Sequence, residues 1–171
     1  SALLGWAAYA MHAPAKARAL LGNVRPLRSV HYAGMAAFGV ALGWALVAPA
    51  GVRFAGGGDA LGVLGICLAT FLAFQGSVAL NDLFDEEGDR LSGARRPLVT
   101  GALDRGDVAA FAAAASAAAL LFALNVKYST FLLIVLALSV SFIYSAPPLR
   151  LKRVPLLATL LLGCVSLLAC L

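Results

Sequence analysis

Five long stretches without a charged residue constrain this chain more than any other feature. Between Arg28 and Arg53 lie 24 uncharged residues, and between Asp59 and Asp82 lie 22. A further 19 separate Asp107 from Lys127, 22 separate Lys127 from Arg150, and 18 run from Val154 to Leu171. A helix needs about 20 apolar residues, rising about 1.5 Å each, to cross the roughly 30 Å hydrocarbon core of a bilayer. The spacing predicts five transmembrane helices, near residues 30–49, 60–81, 108–126, 129–146 and 155–171. Composition agrees, because 62% of residues are apolar and 12% charged, against about 45–50% and about 25% in soluble domains. The expected fold class is all-α, an integral membrane helical bundle. Intrinsic disorder is excluded, since it requires low hydrophobicity and high charge. No nucleic-acid partner is expected, because the basic residues fall between apolar runs rather than along one stripe.

The basic residues orient the spans. Lys16, Arg18, Arg25 and Arg28 precede the first; Arg90, Arg95, Arg96 and Arg105 follow the second; Arg150, Lys152 and Arg153 follow the fourth. If the spans alternate, these share one side and leave Arg53 and Lys127 on the other. The positive-inside rule makes the basic side cytoplasmic, and the acids from Asp82 to Asp107 share it. The protein is expected in a bacterial or archaeal cell membrane, multi-pass, with its polar loops facing the cytoplasm. Short outer connections are expected around Gly56 to Gly58 and Asn125 to Ser129. The third span is an alanine run, whose small surface allows close helix packing but gives little lipid affinity.

Residues 1–22, with Trp6 and Tyr9 followed by Lys16 and Arg18, read as an interfacial segment. They do not form a signal peptide, whose basic residues precede the apolar stretch. Ser1 is not an initiator methionine, and the last span reaches Leu171 without a flanking charge, so a piece of a longer protein is expected. Cys67, Cys164 and Cys170 lie in apolar spans without CxxC spacing and read as buried thiols. His12 and His31 are isolated, and the latter reads as an interfacial residue. Gly56 to Gly58 lacks the Lys-Ser/Thr of a phosphate loop and reads as a turn.

The chemistry concentrates in Asn81-Asp82-Leu83-Phe84-Asp85-Glu86-Glu87-Gly88-Asp89-Arg90. At 100° per residue, Asp82, Asp85 and Asp89 fall within about 60° of one helical face if the second span continues outward. Stacked carboxylates repel one another, and acids near a helix end also oppose the dipole. A cation would offset both costs. Mg²⁺ suits the position, being a hard ion held by one or two carboxylates, waters and phosphate oxygens. Glu87 projects elsewhere and should be solvated. A wet acidic loop is the ordinary reading of such a cluster; the regular spacing, the leading Asn81 and the arginines that follow favour a site. Arg binds phosphate oxygens bidentately, so carboxylate-bound metal beside guanidinium groups suits a diphosphate.

A second polar stretch follows the fourth span: Tyr144-Ser145-Ala146-Pro147-Pro148-Leu149-Arg150-Leu151-Lys152-Arg153. The double proline should end the helix and fix an extended segment. Alone this would be an ordinary positive flank. Beside an acidic metal loop it becomes a plausible second wall of a diphosphate pocket.

Together these residues resemble the UbiA-type intramembrane prenyltransferases. Asn81, Asp82, Asp85 and Asp89 match the family's NDxxDxxxD motif, which Arg90 continues. Arg96-Pro97-Leu98 with Gly101 resembles its RPLxxG. Tyr144 to Lys152 resembles the YSxPPLRLK stretch of the chlorophyll, homogentisate and geranylgeranylglyceryl-phosphate prenyltransferase branch. Arg25-Pro26 is a weaker match to the RP before the first helix. The resemblance covers roughly residues 23–171, the N-terminal portion of a family domain.

It implies a bundle of about nine helices with two aspartate-rich loops across a cytoplasm-facing cavity. It also implies transfer of an isoprenyl group from a prenyl diphosphate to an aromatic or other lipophilic acceptor, within membrane lipid. By resemblance, Asn81, Asp82, Asp85 and Asp89 hold Mg²⁺. Arg90, Arg96, Arg150 and Lys152, with Asn81, bind the diphosphate, and Asp82, Asp85, Tyr144 and Lys152 are the catalytic group. Metal-assisted loss of diphosphate would leave an allylic cation for the acceptor, protected from water in a dry cavity.

Two departures stand out. The family's second aspartate motif is absent from these residues, so the 171-residue chain alone is expected to be inactive, its remaining helices lying on the same protein or on a partner subunit. The Gly-Asn of the chlorophyll-type branch is replaced by the apolar run Leu156 to Leu160. A CDP-alcohol phosphotransferase would need a DGxxAR core, which is missing, and hydropathy excludes a soluble terpene synthase. The remaining rival is a non-catalytic half-length relative serving as a binding or assembly subunit of a membrane complex.

Overall fold

The computed structural model describes residues 2–47 and 57–168, and within them every regular element is helical. In chain order these are α1 (Ala2–His12), α2 (Pro14–Asn23), α3 (Pro26–Val47), α4 (Gly57–Leu91), α5 (Arg105–Val126), α6 (Tyr128–Ser145) and α7 (Pro155–Leu168). A 3₁₀ turn, Leu151–Arg153, precedes α7. Four helices, α3 to α6, are long and apolar enough to cross a membrane. The expected fifth span corresponds to α7, which the structure describes over 14 residues; its last positions, including Cys170, lie outside the described residues, as do Arg53 and Gly56. Gly57 and Gly58 open α4 rather than forming a turn.

Helix α4 is the central element, packed against α3, α5 and α6. Its 35 residues would extend about 52 Å, well beyond a roughly 30 Å hydrocarbon core. The excess projects as further helical turns and carries the acids from Asp82 to Asp89. The helix stops at a Schellman motif, in which Ala94 N–H donates to Asp89 O at 2.9 Å and Gly93 N–H to Arg90 O at 3.3 Å. Gly93 takes the φ of +70° which that motif requires and which a Cβ would disfavour.

The alanine run forms a complete helix, and its small residues explain its place. Ala112, Ala115, Ala119 and Ala123 are buried at helical spacing, and Ala119 and Ala123 pack with Ala69 and Ala73 of α4 and Ile134 of α6. Without side chains to hold the backbones apart, the two helices approach so closely that a Cβ on Gly76 would overlap the Ser116 hydroxyl. A single residue, Lys127, separates α5 from α6.

The N-terminal segment folds as two helices, since Pro14 at the first turn of α2 cannot supply the amide that would continue α1. Ala17 and Leu20 turn inward. Leu20 joins Ala79, Leu98, Leu103, Val108 and Ala112 in a cluster beneath the α4–α5 loop, with Tyr9 packed against it. Asp104 caps α5 through a reciprocal box with Asp107. Lys16 of α2 pairs with both carboxylates, at 2.8 and 2.7 Å.

The double proline does not give the expected extended segment. Residues 147–149 form a turn, and Arg150 follows at φ 40°, ψ 51°, a left-handed conformation unusual for a residue with a Cβ. The chain thereby folds back towards α4. Contacts of the Arg150 guanidinium with the Phe84 carbonyl and the Asp85 carboxylate hold it there.

Candidate active site

A cavity of about 380 Å³ opens between α3, α4 and α6 at the end where the basic residues gather. One face of α4 lines it, through Thr70, Phe74, Ser77, Asn81 and Asp85, a spacing of three or four residues that keeps every side chain on one stripe. From Thr70 to Asp85 this stripe runs about 22 Å along the helix axis. Apolar side chains such as Ile134 and Leu138 line α6, while Tyr144, Ser145 and Lys152 close its polar end. Arg25, Arg28 and Tyr32 come from the opposite wall at the start of α3. The cavity is charged at one end and apolar along its depth.

At the polar end, Lys152 Nζ bridges two oxygens, donating to Asn81 Oδ1 at 2.8 Å and to Asp85 Oδ1 at 2.5 Å. Arg150 Nη2 reaches the same Asp85 oxygen at 3.1 Å, and Asn81 Nδ2 donates to Asp85 Oδ2 at 2.9 Å. The buried Ser145 hydroxyl donates to Asn81 Oδ1 at 2.9 Å. The fold-back after α6 therefore delivers two cations onto one face of α4. The buried Arg150 Nε has no hydrogen-bond partner among the described residues.

The other two aspartates turn away from the cavity. Asp82, only 3% exposed, accepts from Asn23 Nδ2 at 3.1 Å, Arg25 Nη2 at 3.3 Å and Arg96 Nη1 at 2.9 Å. Arg96 Nε also lies 2.6 Å from Asp89 Oδ2, an ion pair out of hydrogen-bond alignment. Among the described residues no three His, Cys, Asp or Glu side chains converge as a metal-binding group. The face expected to unite Asp82, Asp85 and Asp89 is divided by its neighbours, with Asp85 towards α6 and Asp82 and Asp89 towards the α4–α5 loop.

Arg90 lies at the surface on Glu86, at 2.9 Å, and Arg105 engages the same carboxylate. Neither Arg90 nor Arg96 lines the cavity. Glu87 is exposed. Arg25 and Arg28 do line it; the first rested on a weak motif match, and the second carried no signal beyond its place before an apolar span. Burial pushes the Arg25 pKa down, and the Asp82 carboxylate opposes that shift. Behind these arginines, buried Gln75 donates to the Ser29 hydroxyl at 2.7 Å, which donates to Arg25 O at 2.9 Å. A glutamine inside an apolar span is the signal that could have revealed this tie, because an unpartnered amide is costly there. Tyr32 stacks on Phe74, ring centroids 4.9 Å apart.

The family model of the UbiA prenyltransferases matches residues 37–171. The chain belongs to the UbiA prenyltransferase family. Its structure is similar to that of a UbiA homolog from Archaeoglobus fulgidus bound to DMAPP and Mg²⁺, with a TM-score of 0.69 and 25% sequence identity. The match covers 88% of this chain and 51% of that one, so the chain spans about half the length of this relative. No curated protein matches the sequence. The UbiA match starts within α3, so α1, α2 and Arg25 lie outside it.

The residues present suit a hard divalent ion at one place. Lys152 Nζ occupies the gap between Asn81 Oδ1 and Asp85 Oδ1, so a positive charge already bridges two oxygen donors. Carboxylate and amide oxygens are the donor chemistry that Mg²⁺ prefers.

Proposed function

We propose that this chain supplies the prenyl diphosphate-binding half of a Mg²⁺-dependent enzyme that transfers an isoprenyl group to a lipophilic acceptor within the membrane. The observation that carries this reading is the cavity itself. Asn81, Asp85 and Lys152 lie at one end with Arg25 and Arg28 on the facing wall, and a largely apolar cleft continues along α4 from Val78 to Thr70, about two turns. The charged end suits a diphosphate and the apolar depth suits an isoprenoid tail.

The reaction breaks the allylic C–O bond, whose electron pair leaves with the diphosphate. The acceptor then bonds to the allylic carbon and gives up a proton. Asn81 and Asp85 would hold Mg²⁺, which when bound neutralises charge on the diphosphate. With the metal between Asn81 and Asp85, Lys152 would turn from that gap to the diphosphate and, with Arg25, add positive charge where negative charge grows. Arg150 braces Asp85 and the fold-back that carries Lys152. Ile134, Leu138 and Phe74 keep water from the developing cation, and Tyr144 presents a ring at the boundary between the charged and apolar parts. By the positive-inside rule this end faces the cytoplasm.

The test is binding of dimethylallyl and geranylgeranyl diphosphates to the full detergent-solubilised protein, with Mg²⁺ and with a chelator. Mg²⁺-dependent binding of both, with release of diphosphate on adding an acceptor, is expected. Binding insensitive to Mg²⁺, or none, would overturn the reading.

A further inference from the structure

Resting on the transferase reading above, we infer that Asp82 and Asp89 are positioning residues rather than metal ligands: with Arg96 they form a clamp behind the cavity wall that holds Arg25 at its mouth. Asp82 and Asp89 are seven residues apart, so they lie on nearly one line of α4, whereas Asp85 is rotated about 60° from Asp82. The partners divide in the same way. Asp85 meets Arg150 and Lys152 from beyond α6; Asp82 and Asp89 share Arg96 from the α4–α5 loop.

Asp82 is poorly placed for a metal. It is 3% exposed, it is absent from the cavity wall, and both its oxygens accept from donors on three residues in two chain segments. Mg²⁺ dehydrates reluctantly and usually keeps several waters, for which this position leaves no room. What Asp82 does hold is Arg25, which lines the cavity. Its carboxylate offsets the burial of that guanidinium, while Asn23 and Arg96 fix the carboxylate from two further directions. The clamp thus joins the α2–α3 junction, α4 and the α4–α5 loop around one cavity-facing cation. A motif that reads as one metal face is divided between a metal-facing pair, Asn81 and Asp85, and a scaffold that aims Arg25.

The experiment compares Asp85→Asn, Asp82→Asn, Asp89→Asn, Arg25→Gln, Arg96→Gln and the doubles D82N/R25Q and D82N/R96Q in the full-length enzyme. Three quantities are measured: the Mg²⁺ concentration at half-saturation, the KM for geranylgeranyl diphosphate at saturating Mg²⁺, and thermal stability without ligand. Asp85→Asn should raise the Mg²⁺ requirement at least about tenfold. Asp82→Asn and Asp89→Asn should leave it within about twofold. Asp82→Asn should raise the KM about tenfold, Arg25→Gln should do the same, and the double should be no worse than either single. An Mg²⁺ shift in Asp82→Asn equal to that in Asp85→Asn would overturn the assignment. If Asp82→Asn does not fold, D82N/R96Q carries the Mg²⁺ measurement, because removing Arg96 cannot replace a lost ligand but does remove one of the two cations that Asp82 neutralises. If the wild-type protein shows no Mg²⁺-dependent prenyl diphosphate binding, the transferase reading fails. The clamp is then judged on stability alone: less-than-additive losses in D82N/R96Q support it, and additive losses overturn it.

Discussion

The Lys152 ammonium lies 2.5 Å from the Asp85 carboxylate, tying the 3₁₀ turn beyond α6 to the projecting end of α4. The pair is only partly exposed, so it is less screened than a surface ion pair. Replacing Lys152 by Met keeps the length of the stem and removes the charge. Arg150 still neutralises Asp85 at 3.1 Å, so the fold should survive with a modest drop in melting temperature. Prenyl diphosphate affinity should fall about tenfold, roughly 1.4 kcal/mol, as titration with geranylgeranyl diphosphate would show. Unchanged affinity would remove Lys152 from the binding site.

Asp85→Asn and Glu87→Gln remove the same charge two residues apart. Asp85 faces the cavity and Glu87 is exposed. Turnover in the full-length enzyme should fall at least about tenfold for the first, roughly 1.4 kcal/mol, and little for the second. Equal losses would mean that the acids act as a diffuse field rather than as a shaped site.

Much of this arrangement was legible in the sequence, and the reasons are local. Apolar length set the spans of α3 to α6, because lipid leaves the backbone no alternative to helix. The Asn81-to-Asp89 spacing and the cations after α6 marked the two segments that meet at Lys152 and Asp85. The direction of each carboxylate was not legible. Helical periodicity places Asp82, Asp85 and Asp89 within one broad sector, but long-range partners decide what each one faces: Arg96 is 14 residues away in sequence and Lys152 is 67. The fold-back after the double proline was equally hidden, since proline restricts its own φ but does not predict a left-handed Arg150. Gln75 and Ser29 each look like an isolated polar residue until α3 and α4 are brought together.

The α4–α5 contact gives a stability prediction. A Cβ on Gly76 would overlap the Ser116 hydroxyl and come within 3.2 Å of the Ala112 carbonyl. Gly76→Ala should therefore destabilise the bundle by about 1–3 kcal/mol, as overpacking does. Adding Ser116→Ala should recover part of that loss by removing the nearer clash. Thermal unfolding in detergent checks both, and a Gly76→Ala variant of native stability would mean that the helices separate at little cost.

The docking of α2 should depend on pH at the acid extreme. Hydrogen bonding to Lys16, then to the Asp107 backbone, holds the Asp104 pKa down at about 2 against an ordinary 3.8. A carboxyl lowered in this way contributes stability above its ordinary value and loses it as pH falls through about 2. Lys16 is shifted upward by hydrogen bonds to Asp104 and Asp107, so its contribution persists through neutral pH and is lost only in strong alkali. Both Lys16 and Asp104 are exposed, so the effect should be small and weakened by salt. A fluorophore on Leu21→Cys, an exposed position of α2, with the native cysteines replaced, should report α2 loosening between about pH 4 and pH 2. Lys16→Met should abolish that pH step.

The final prediction is that residues 1–171 alone do not complete the reaction. A diphosphate carries about three negative charges, and departure concentrates still more charge on it in the transition state, so catalysis depends on a preorganised set of opposing charges. On the proposed reading Asn81 and Asp85 offer one pair of oxygens to the metal, and among the described residues no group of three metal-ligating side chains forms. The match to the Archaeoglobus fulgidus homolog covers 51% of that chain, so about half of that relative's length has no counterpart in these residues. Purified residues 1–171 with Mg²⁺, geranylgeranyl diphosphate and an acceptor should therefore show weak or no transfer. Activity should return when a segment bearing a second aspartate-rich loop is joined to the chain or added as a partner. Sustained turnover by residues 1–171 without any partner would show that one carboxylate, one amide oxygen and their neighbouring cations suffice.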